Sequence, residues 1–294
     1  MVDQDAPAAD LDALLQGQAW VDLASWHAVR VGGTDAIAWL HDLLTADIAG
    51  LVPGASCRSL LLTPTGRIRA DVQVLRRPDD VLLVQSADQP EGIGPLLAPY
   101  VLSSDVSLDD VTADLEIIAL PCATALPDDL SGFAPSCLGP GIDAVVPAGE
   151  PAQHLRSVLL DAGFAEAGTA VAEAWRIVEG IPRMGADFVQ GSLPAETGLD
   201  DVIDAVKGCF LGQESVARIR NLGHPPHVLR HVQGSHAFEA GGSVLAGDTI
   251  VGSVTSATRL AGRCVGFVRI VWAAATTQLT DSDGHPLVDV ASGG

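Results

Sequence analysis

At Pro225-Pro226 the sequence changes from a helical pattern to a series of short strands, and this change constrains the fold of the chain more than any other feature. Two consecutive prolines cannot continue the helix predicted at 212–221, because proline lacks a backbone N–H group. After them, short strands separated by Gly-rich turns are predicted at 227–233, 242–245, 249–257, 263–271 and 286–290. The C-terminal part is therefore expected to be a small barrel or sandwich.

Before the prolines, helices and strands are mixed without the strand–helix alternation of a doubly wound sheet, which predicts an α+β protein. Turn residues at 63–66 and 77–80 separate the strands of a β-meander. Its strands are predicted at 57–62, 67–76 and 81–86, with further strands near 104–108 and 114–120. Helices are predicted at 34–48, 90–100, 151–162 and 169–180. Residues 1–12 are interpreted as a frayed lead-in, and residues 183–206 as irregular.

The charge of the chain restricts its partners. The net charge is −21 with only 16 Lys and Arg residues, and such a surface repels phosphate backbones. Direct binding of nucleic acid is therefore not expected. No run reaches the roughly 18 apolar residues that a membrane span needs. The N-terminus lacks the pattern of a secretory signal, so we expect a cytoplasmic protein without membrane contact.

Neither the cysteines nor the histidines predict a metal site. The five cysteines, at 57, 122, 137, 209 and 264, are odd in number and contain no C-x-x-C pair. Four histidines follow one another at 224, 227, 231 and 236, but Pro225-Pro226 keeps the first two from helical spacing. No cysteine or carboxylate nearby completes a tetrahedral set. We expect histidines on the surface or at the rim of a pocket.

The string Lys-Gly-Cys-Phe-Leu-Gly-Gln-Glu at 207–214 carries the strongest chemical signal. Cys209 lies between glycines, two residues after a cation and just before a helix start. Both the ammonium group and the helix N-terminus favour a thiolate, so a functional thiol is predicted rather than a core cysteine. Nothing nearby marks a histidine as its base, which disfavours a cysteine protease or amidase.

Other polar residues are candidates for binding an organic ligand. Glu214 stands in the first turn of the helix, where it compensates the helix dipole and could also accept a heterocyclic N–H. Arg218 could hold a carboxylate, or simply pair with Glu214. Glu196 lies on a turn-rich segment and could pair with the donor edge of an aminopyrimidine. No dinucleotide, P-loop or serine-hydrolase motif is present.

Taken together, these segments resemble the folate-binding YgfZ family, a relative of the T protein (aminomethyltransferase) of the glycine cleavage system. The resemblance covers most of the chain, and the Lys-Gly-Cys-aromatic-x-Gly-Gln-Glu string is the family's hallmark. The resembling segments are Val31–Ala36, Leu62–Ile68, Trp175–Ile177, Pro194–Glu196, Lys207–Glu214 and Val254–Thr258.

The resemblance implies a three-domain fold around a central folate pocket. Two ferredoxin-like α+β units, 1–110 and 111–226, would precede a C-terminal antiparallel β-barrel at 227–294. The resemblance also implies binding of tetrahydrofolate or a derivative. The role implied is accessory, in the assembly or upkeep of iron–sulfur client proteins. One such client methylthiolates tRNA, so the link to tRNA would be indirect.

The resemblance assigns Cys209 to the family's functional cysteine, for redox or one-carbon protection chemistry, and Glu196 to the carboxylate that holds the pterin. The other residues expected at the folate are Arg176, Lys207, Gln213, Glu214 and Arg218. Folate-dependent aminomethyl or methyl transfer is the alternative, with Asp71 as the group that orients or deprotonates the amine. The T protein has paired aspartates where this chain has Ala70-Asp71, which disfavours that alternative. A third reading is an acidic interaction module with a vestigial pocket.

Overall fold

Residues 8–127 and 130–290 are described by the computed structural model. They form six helices, which are α1 (Ala8–Leu15), α2 (Ala36–Leu43), α3 (Ile93–Leu97), α4 (Glu150–Asp161), α5 (Thr169–Val178) and α6 (Gln213–Leu222). The first nine strands are β1 (Ala19–Asp22), β2 (His27–Gly32), β3 (Ser56–Leu62), β4 (Ile68–Arg76), β5 (Val81–Gln85), β6 (Ser107–Asp110), β7 (Leu115–Pro121), β8 (Gly141–Pro147) and β9 (Ala165–Glu166). Six more are β10 (His227–Gly234), β11 (Ser243–Ala246), β12 (Thr249–Leu260), β13 (Arg263–Val271), β14 (Leu279–Thr280) and β15 (Pro286–Asp289).

The first sheet has the order β3-β4-β5-β2-β6 and is antiparallel throughout. Side chains alternate between its two faces, as the strand period requires. Val81 and Leu83 on β5 pack with α2 and α3, whereas Leu82 and Val84 pack with α1 and α5. The first sheet is therefore covered on both faces, and the face that carries Leu82 and Val84 packs against α1 and α5.

The second sheet has the order β8-β7-β1-β9, in which only the β1–β9 pair is parallel. Trp20 on β1 packs against Leu155 and Leu159 of α4 on one face. Val21 packs with Trp175 of α5 on the other face, in the same cluster that receives Leu82 and Val84. This shared cluster joins the two sheets.

The last six strands close into a barrel in the order β10-β13-β12-β11-β14-β15, with every pair antiparallel. Its own apolar core includes Val232, Val254 and Val268. The predicted α+β class and the C-terminal antiparallel barrel are confirmed. The alternative of a sandwich is wrong, because β10 pairs with β15 and closes the sheet.

Several element boundaries differ from the prediction. Helix α2 ends at Leu43 rather than near 48, because Leu44 is extended and bridges to Leu61. Around Pro95 and Pro99 the helix expected at 90–100 shortens to α3 and a 3₁₀ turn at Ala98–Tyr100. The frayed lead-in expected at 1–12 is wrong for residues 8–12, which belong to α1, and its first seven residues lie outside the described part.

The division of the chain into domains at 1–110, 111–226 and 227–294 stays a proposal. Strand β1 lies early in the chain but pairs with β7 and β9, so it belongs to the second sheet. Within the described ranges, no helix combines the length and apolar character needed to cross a bilayer.

Candidate functional site

A cavity of about 490 Å³ lies between the first sheet, the edge of β1 and α5, and we call it the inter-sheet cavity. Its walls are largely apolar, with Val21, Trp26, Val72, Leu138 and Met184 among the lining residues. Charged side chains converge on the same space, namely Asp22, Arg58, Asp71, Asp88, Glu173, Arg176 and Arg183. A cavity of this size with apolar walls and a few fixed polar groups is typical of a small-molecule site.

Asp71 lines the inter-sheet cavity as an ion pair with Arg58. Leu60 on β3 lies directly opposite Asp71 on β4. Arg58 is two residues before Leu60 on the same face of the sheet, so its side chain reaches Asp71 diagonally. Arg58 Nε donates to Asp71 Oδ1 at 2.8 Å and Nη2 donates to Oδ2 at 2.5 Å. Burial alone would lower the pKa of Arg58, but the charge of Asp71 and its hydrogen bond raise that pKa above the usual value. Both oxygens of Asp71 are therefore held by a permanent cation.

Arg176 also lines the cavity, and all five of its N–H groups have acceptors. Nε and Nη2 donate to Glu173, Nη1 donates to Asp187 Oδ2 at 2.7 Å and to the carbonyl of Ile181, and Nη2 also donates to Ser256 Oγ at 2.9 Å. Asp187 Oδ1 accepts the hydroxyl of Ser256 at 2.6 Å. Since Ser256 lies on β12, Arg176 connects α5 to the barrel and has no N–H left for a ligand.

Glu173 and Arg183 form the rim of the cavity. Burial tends to raise the pKa of Glu173, but hydrogen bonds and charges from Arg176 and Arg183 hold it below the usual value. Arg183 also pairs with Asp88. Its Nε is buried and lies 3.3 Å from Glu173 Oε2, which places the two groups in an ion pair.

Asp22, at the end of β1, is a lining residue that sequence reasoning missed. Its Oδ2 accepts Nη2 of Arg156 at 2.5 Å. Its Oδ1 is buried and meets no donor within the described residues. No motif surrounds Asp22, and its partner is 134 positions away, so the sequence offered no signal.

Lys207 does not reach the inter-sheet cavity. Its ammonium group donates to the carbonyls of His41, Leu44 and Ala46 at 2.5, 2.6 and 2.7 Å, where α2 ends. Burial lowers the pKa of Lys207 to about 8, although Asp47, Asp204 and Asp42 oppose the shift. The residue thus anchors the string to the end of α2.

The rest of the string holds Cys209 at the surface. Phe210 is buried in an apolar cluster with Leu60 and Leu62, whereas Cys209 is exposed. Gly212 precedes α6 with φ +83°, and a Cβ there would come within 2.5 Å of the Thr63 carbonyl oxygen. The Lys207–Glu214 string is therefore fixed on both sides of an accessible thiol, away from the lining of the inter-sheet cavity.

Gln213 and Glu214 begin α6, and Arg218 lies about one turn further along it. Glu214 and Arg218 are exposed, and their side chains lie 3.7 Å apart as an i,i+4 pair. Such an exposed pair contributes roughly 0.3–0.5 kcal/mol to a helix. These three residues and Cys209 lie outside the lining of the inter-sheet cavity.

Glu196 is buried at a different place, at the end of the 3₁₀ turn Pro194–Glu196, where its side chain faces the barrel. Its Oε2 accepts the backbone N–H of Leu193 at 2.8 Å, and its Oε1 lies 3.2 Å from both Arg269 Nη2 and His227 Nδ1. Next to it is a second cleft of about 460 Å³, lined by Pro194, Ala195, Arg220, His224 and Trp272 among others. Of the predicted site residues, the inter-sheet cavity brings together Asp71 and Arg176.

Comparisons with known proteins agree with this fold. Residues 3–126 match the GCVT N-terminal domain. The crystal structure of the glycine cleavage system aminomethyltransferase T from Bartonella henselae superposes with a TM-score of 0.79. The alignment covers 97% of this chain and 89% of that one, at 20% identity. The predicted aminomethyltransferase-like fold is confirmed.

Curated relatives are similar at low identity. A chloroplastic protein of Arabidopsis thaliana named as a transferase is 26% identical over 84% of this chain and 63% of its own length. The mitochondrial iron–sulfur cluster assembly factor IBA57 homolog of Mycosarcoma maydis is 26% identical over 66% of this chain and 52% of its own length. Several bacterial aminomethyltransferases match at 24–26% identity. The chain thus spans only 63% and 52% of the first two relatives.

Proposed function

We propose that this protein binds tetrahydrofolate or a derivative in the inter-sheet cavity and serves as an accessory factor for iron–sulfur proteins. The observation that carries the proposal is the inter-sheet cavity itself, which combines apolar walls with charged side chains from the first sheet, β1 and α5. A third reading, a vestigial pocket filled by side chains, does not fit an open space of about 490 Å³.

The chemistry of the lining residues fits a reduced pterin. A pterin ring has apolar faces and an edge of N–H donors next to a carbonyl acceptor. Val72, Leu138 and Met184 offer apolar contact for the faces. Polar side chains that line the same cavity, such as Asp22 and Ser86, would meet the edges of the ring. The protein would bind and orient the folate, and the folate would supply the one-carbon chemistry.

The accessory role is supported by the relative named as an iron–sulfur cluster assembly factor. In this proposal, the exposed thiol of Cys209 is presented to a client protein rather than to the folate, because Cys209 lies outside the cavity lining. The finer identification with the YgfZ family is part of the same proposal. A net charge of −21 keeps the link to tRNA indirect.

Calorimetric titration of (6S)-tetrahydrofolate into the full chain under anaerobic conditions tests the binding. We expect saturable one-to-one binding, and its loss in Leu138→Trp, which fills the cavity. Leu102→Trp is the control, since Leu102 is 86% exposed and lies elsewhere. An unchanged affinity in Leu138→Trp, or no heat with the wild type at high micromolar folate, would contradict the proposal.

Aminomethyl transfer is the second candidate, favoured by the position of Asp71 in the cavity wall and by the aminomethyltransferases among the relatives. Both oxygens of Asp71 already accept hydrogen bonds from Arg58, so an amine in the cavity would compete with Arg58 for them. The assay is release of ammonia from an aminomethyl-lipoyl carrier, with the methylene carbon passing to tetrahydrofolate. Release by the wild type and its loss in Asp71→Ala would establish this candidate, and no release would exclude it.

A further inference from the structure

The turn between β14 and β15 carries three side chains that offer ligands to a metal ion. Asp281, Asp283 and His285 each supply one carboxylate oxygen or ring nitrogen, and these atoms all lie within 4.8 Å of one another. Two carboxylates and one imidazole form a mixed oxygen and nitrogen set, which suits divalent transition metals. None of the three lines the inter-sheet cavity or the second cleft, so this cluster is independent of the proposed function.

Asp281 is the fixed member of the cluster. Its side chain is 8% exposed, and its Oδ1 accepts the backbone N–H groups of Asp283 and His285, both at 2.9 Å. These two hydrogen bonds hold the carboxylate in one orientation and turn Oδ2 toward the ring of His285. The turn itself therefore positions one ligand oxygen, as outer hydrogen bonds do around the ligands of established metal sites.

The spacing of Asp281 and His285 is close to that of two ligands on one ion. Asp281 Oδ2 lies 3.2 Å from His285 Nδ1. Zn²⁺ binds carboxylate oxygen and imidazole nitrogen at about 2.0–2.2 Å, so tetrahedral geometry separates two such ligand atoms by about 3.3–3.6 Å. An ion that replaces the proton shared by these two atoms therefore requires only a small adjustment of the His285 ring.

A second histidine, which follows β10 in the chain, packs on this cluster. The rings of His236 and His285 are stacked, with centroids 3.7 Å apart and planes inclined by 9°. The nitrogen lone pairs lie in the plane of an imidazole ring, so two nearly parallel rings cannot both direct a lone pair at one ion. His236 therefore lies beside the ligand set without belonging to it, and it serves below as a control with the same ring.

The cluster lies where the barrel closes. Strand β14 pairs with β11 and strand β15 pairs with β10, so the turn that joins β14 to β15 connects the two strands that complete the ring. The arrangement of the three side chains depends on the folded turn, in which Asp281 Oδ1 is held by backbone groups. An ion bound here would therefore stabilise the folded barrel relative to the unfolded chain.

We propose that Asp281, Asp283 and His285 hold one divalent transition-metal ion, with Zn²⁺ as the representative, and that this ion stabilises the closure of the barrel. Asp281 Oδ2, a carboxylate oxygen of Asp283 and His285 Nδ1 are the protein ligands, and water completes the coordination. Nδ1 gives up its proton to solvent when the ion binds. Mg²⁺ is disfavoured, because it prefers oxygen ligands in nearly ideal octahedral geometry and releases its water reluctantly.

The first measurement needs no substitution. Zn²⁺ and Mg²⁺ are titrated separately into the full wild-type chain at neutral pH, and binding is followed by calorimetry. We expect saturable binding of one Zn²⁺ per chain, no saturation with Mg²⁺ over the same concentrations, and a higher temperature of thermal unfolding with Zn²⁺. No saturable binding at high micromolar Zn²⁺, or equal binding of Mg²⁺, would overturn the inference.

The second measurement locates the ion with two pairs of variants. His285→Phe keeps a ring stacked on His236 but removes the ligand nitrogen, and Asp283→Ala removes a carboxylate from an exposed position. Each is expected to lower the Zn²⁺ affinity at least about tenfold. The matched controls are His236→Phe and Asp248→Ala, the latter at an exposed position in the turn between β11 and β12. Both should stay within about threefold of wild type.

The remaining outcomes distinguish this cluster from other ligands. Cys209→Ser should leave the Zn²⁺ affinity unchanged, because the exposed thiol is not part of the cluster. A tenfold loss in Cys209→Ser or in His236→Phe would place the ion on other ligands and overturn the inference. Thermal unfolding without metal checks that each variant is folded. If His285→Phe does not fold, Asp283→Ala decides alone, and wild-type affinity in that variant would overturn the inference.

Discussion

At the scale of single residues, several cations of this acidic chain donate to acceptors of the protein itself. All five N–H groups of Arg176 and all three of Lys207 have protein acceptors. Arg58 and Arg156 are likewise paired with carboxylates. An anionic ligand in the inter-sheet cavity would therefore have to compete with carboxylates of the protein for these arginines.

The first prediction concerns the reactivity of the cysteines. All five lie in the described part of the chain, and Cys209 is the exposed one. Burial raises the pKa of Cys57 to about 11 and holds the pKa of Cys137 well above its usual value, so their thiolate populations are small. We expect iodoacetamide at pH 8 to label one thiol at least about tenfold faster than the rest. Mass spectrometry should place it at Cys209, and Cys209→Ser should abolish the fast phase. Similar rates at all five cysteines would contradict the prediction.

The second prediction concerns Asp143, a fully buried residue on β8. Burial raises its pKa to about 6, although Ser136 Oγ and the N–H of Cys137 donate to it. Because the folded-state pKa exceeds the unfolded value, about 3.9, this carboxyl stabilises the fold at low pH. That stabilisation is lost as the pH rises through about 6.

Urea unfolding between pH 5 and pH 8 measures this effect. Relative to wild type, Asp143→Asn should become about 1–1.5 kcal/mol more stable at pH 8 than at pH 5, because the variant cannot titrate. The exposed Asp109→Asn is the control, and its difference from wild type should not change over the same range. A constant difference for Asp143→Asn would show that the residue does not titrate in this window.

Part of the site was accessible from the sequence. The predicted strands 57–62 and 67–76 already contain Arg58 and Asp71. Counting back from the turn at Thr63–Gly66 places Asp71 opposite Ser59, on the other face from Arg58. A register shift between Leu61 and Leu62 moves Asp71 opposite Leu60 and diagonal to Arg58, so this ion pair could not have been predicted from the sequence. Asp22 and Arg156 come together only because β1 and α4 meet in the folded chain, and no local pattern reports that contact.

At the scale of elements, the start of α6 explains the glycines of the Lys207–Glu214 string. Gly212 has a positive φ and faces the hairpin turn at Thr63–Gly66. Gly66 in turn is approached by Ser215, since a Cβ on Gly66 would lie 2.7 Å from that of Ser215. Two segments that are distant in sequence therefore require glycine for the same contact.

The third prediction follows from this contact. Gly212→Ala places a methyl group about 2.5 Å from a backbone oxygen and forces a left-handed conformation. We expect a loss of at least about 2 kcal/mol in the free energy of unfolding. Gly208→Ala, in the same string, is the matched control, because its nearest neighbour would be His41 Nε2 at 3.9 Å and its φ is not positive. Its effect should stay within about 0.5 kcal/mol, and equal effects of the two substitutions would contradict the assignment.

The elements also show why the fold could be predicted only in part. The strands β3, β4 and β5 were predicted because turn residues separate long apolar runs, and the structure confirms all three. Strand β1 was missed, since its four residues carry no alternation that the sequence could show. Its strand conformation comes from pairing with β7 and β9, a tertiary effect that outweighs local propensity.

At the scale of the whole molecule, one buried network joins α5 to the barrel. Asp187 accepts hydrogen bonds from Arg176, from Thr255 and Ser256 on β12, and from the backbone N–H of Arg183. Its side chain is fully buried. A buried pair of this kind is costly to break, because the remaining charge is left without compensation.

The fourth prediction is that this network makes the barrel unfold together with the rest of the chain. Asp187→Asn should lower the free energy of unfolding by about 2–4 kcal/mol and separate the urea transition into two steps. Ser256→Ala should cost about 1–2 kcal/mol. Ser253→Ala, at an exposed position on the same strand, is the control. A single unshifted transition in Asp187→Asn would show that other contacts couple the units.

The position of β1 in the second sheet has a consequence for synthesis on the ribosome. Residues 27–110 complete the first sheet as soon as they have emerged, because all five of its strands lie within that stretch. Strand β1 is translated earlier, yet its partners β7 and β9 follow only after that sheet has been made. Strand β1 must therefore wait, unpaired, while a segment that is translated after it folds ahead of it. Asp22, at the end of β1, is therefore synthesised before residues 27–110 but reaches its place after they have folded.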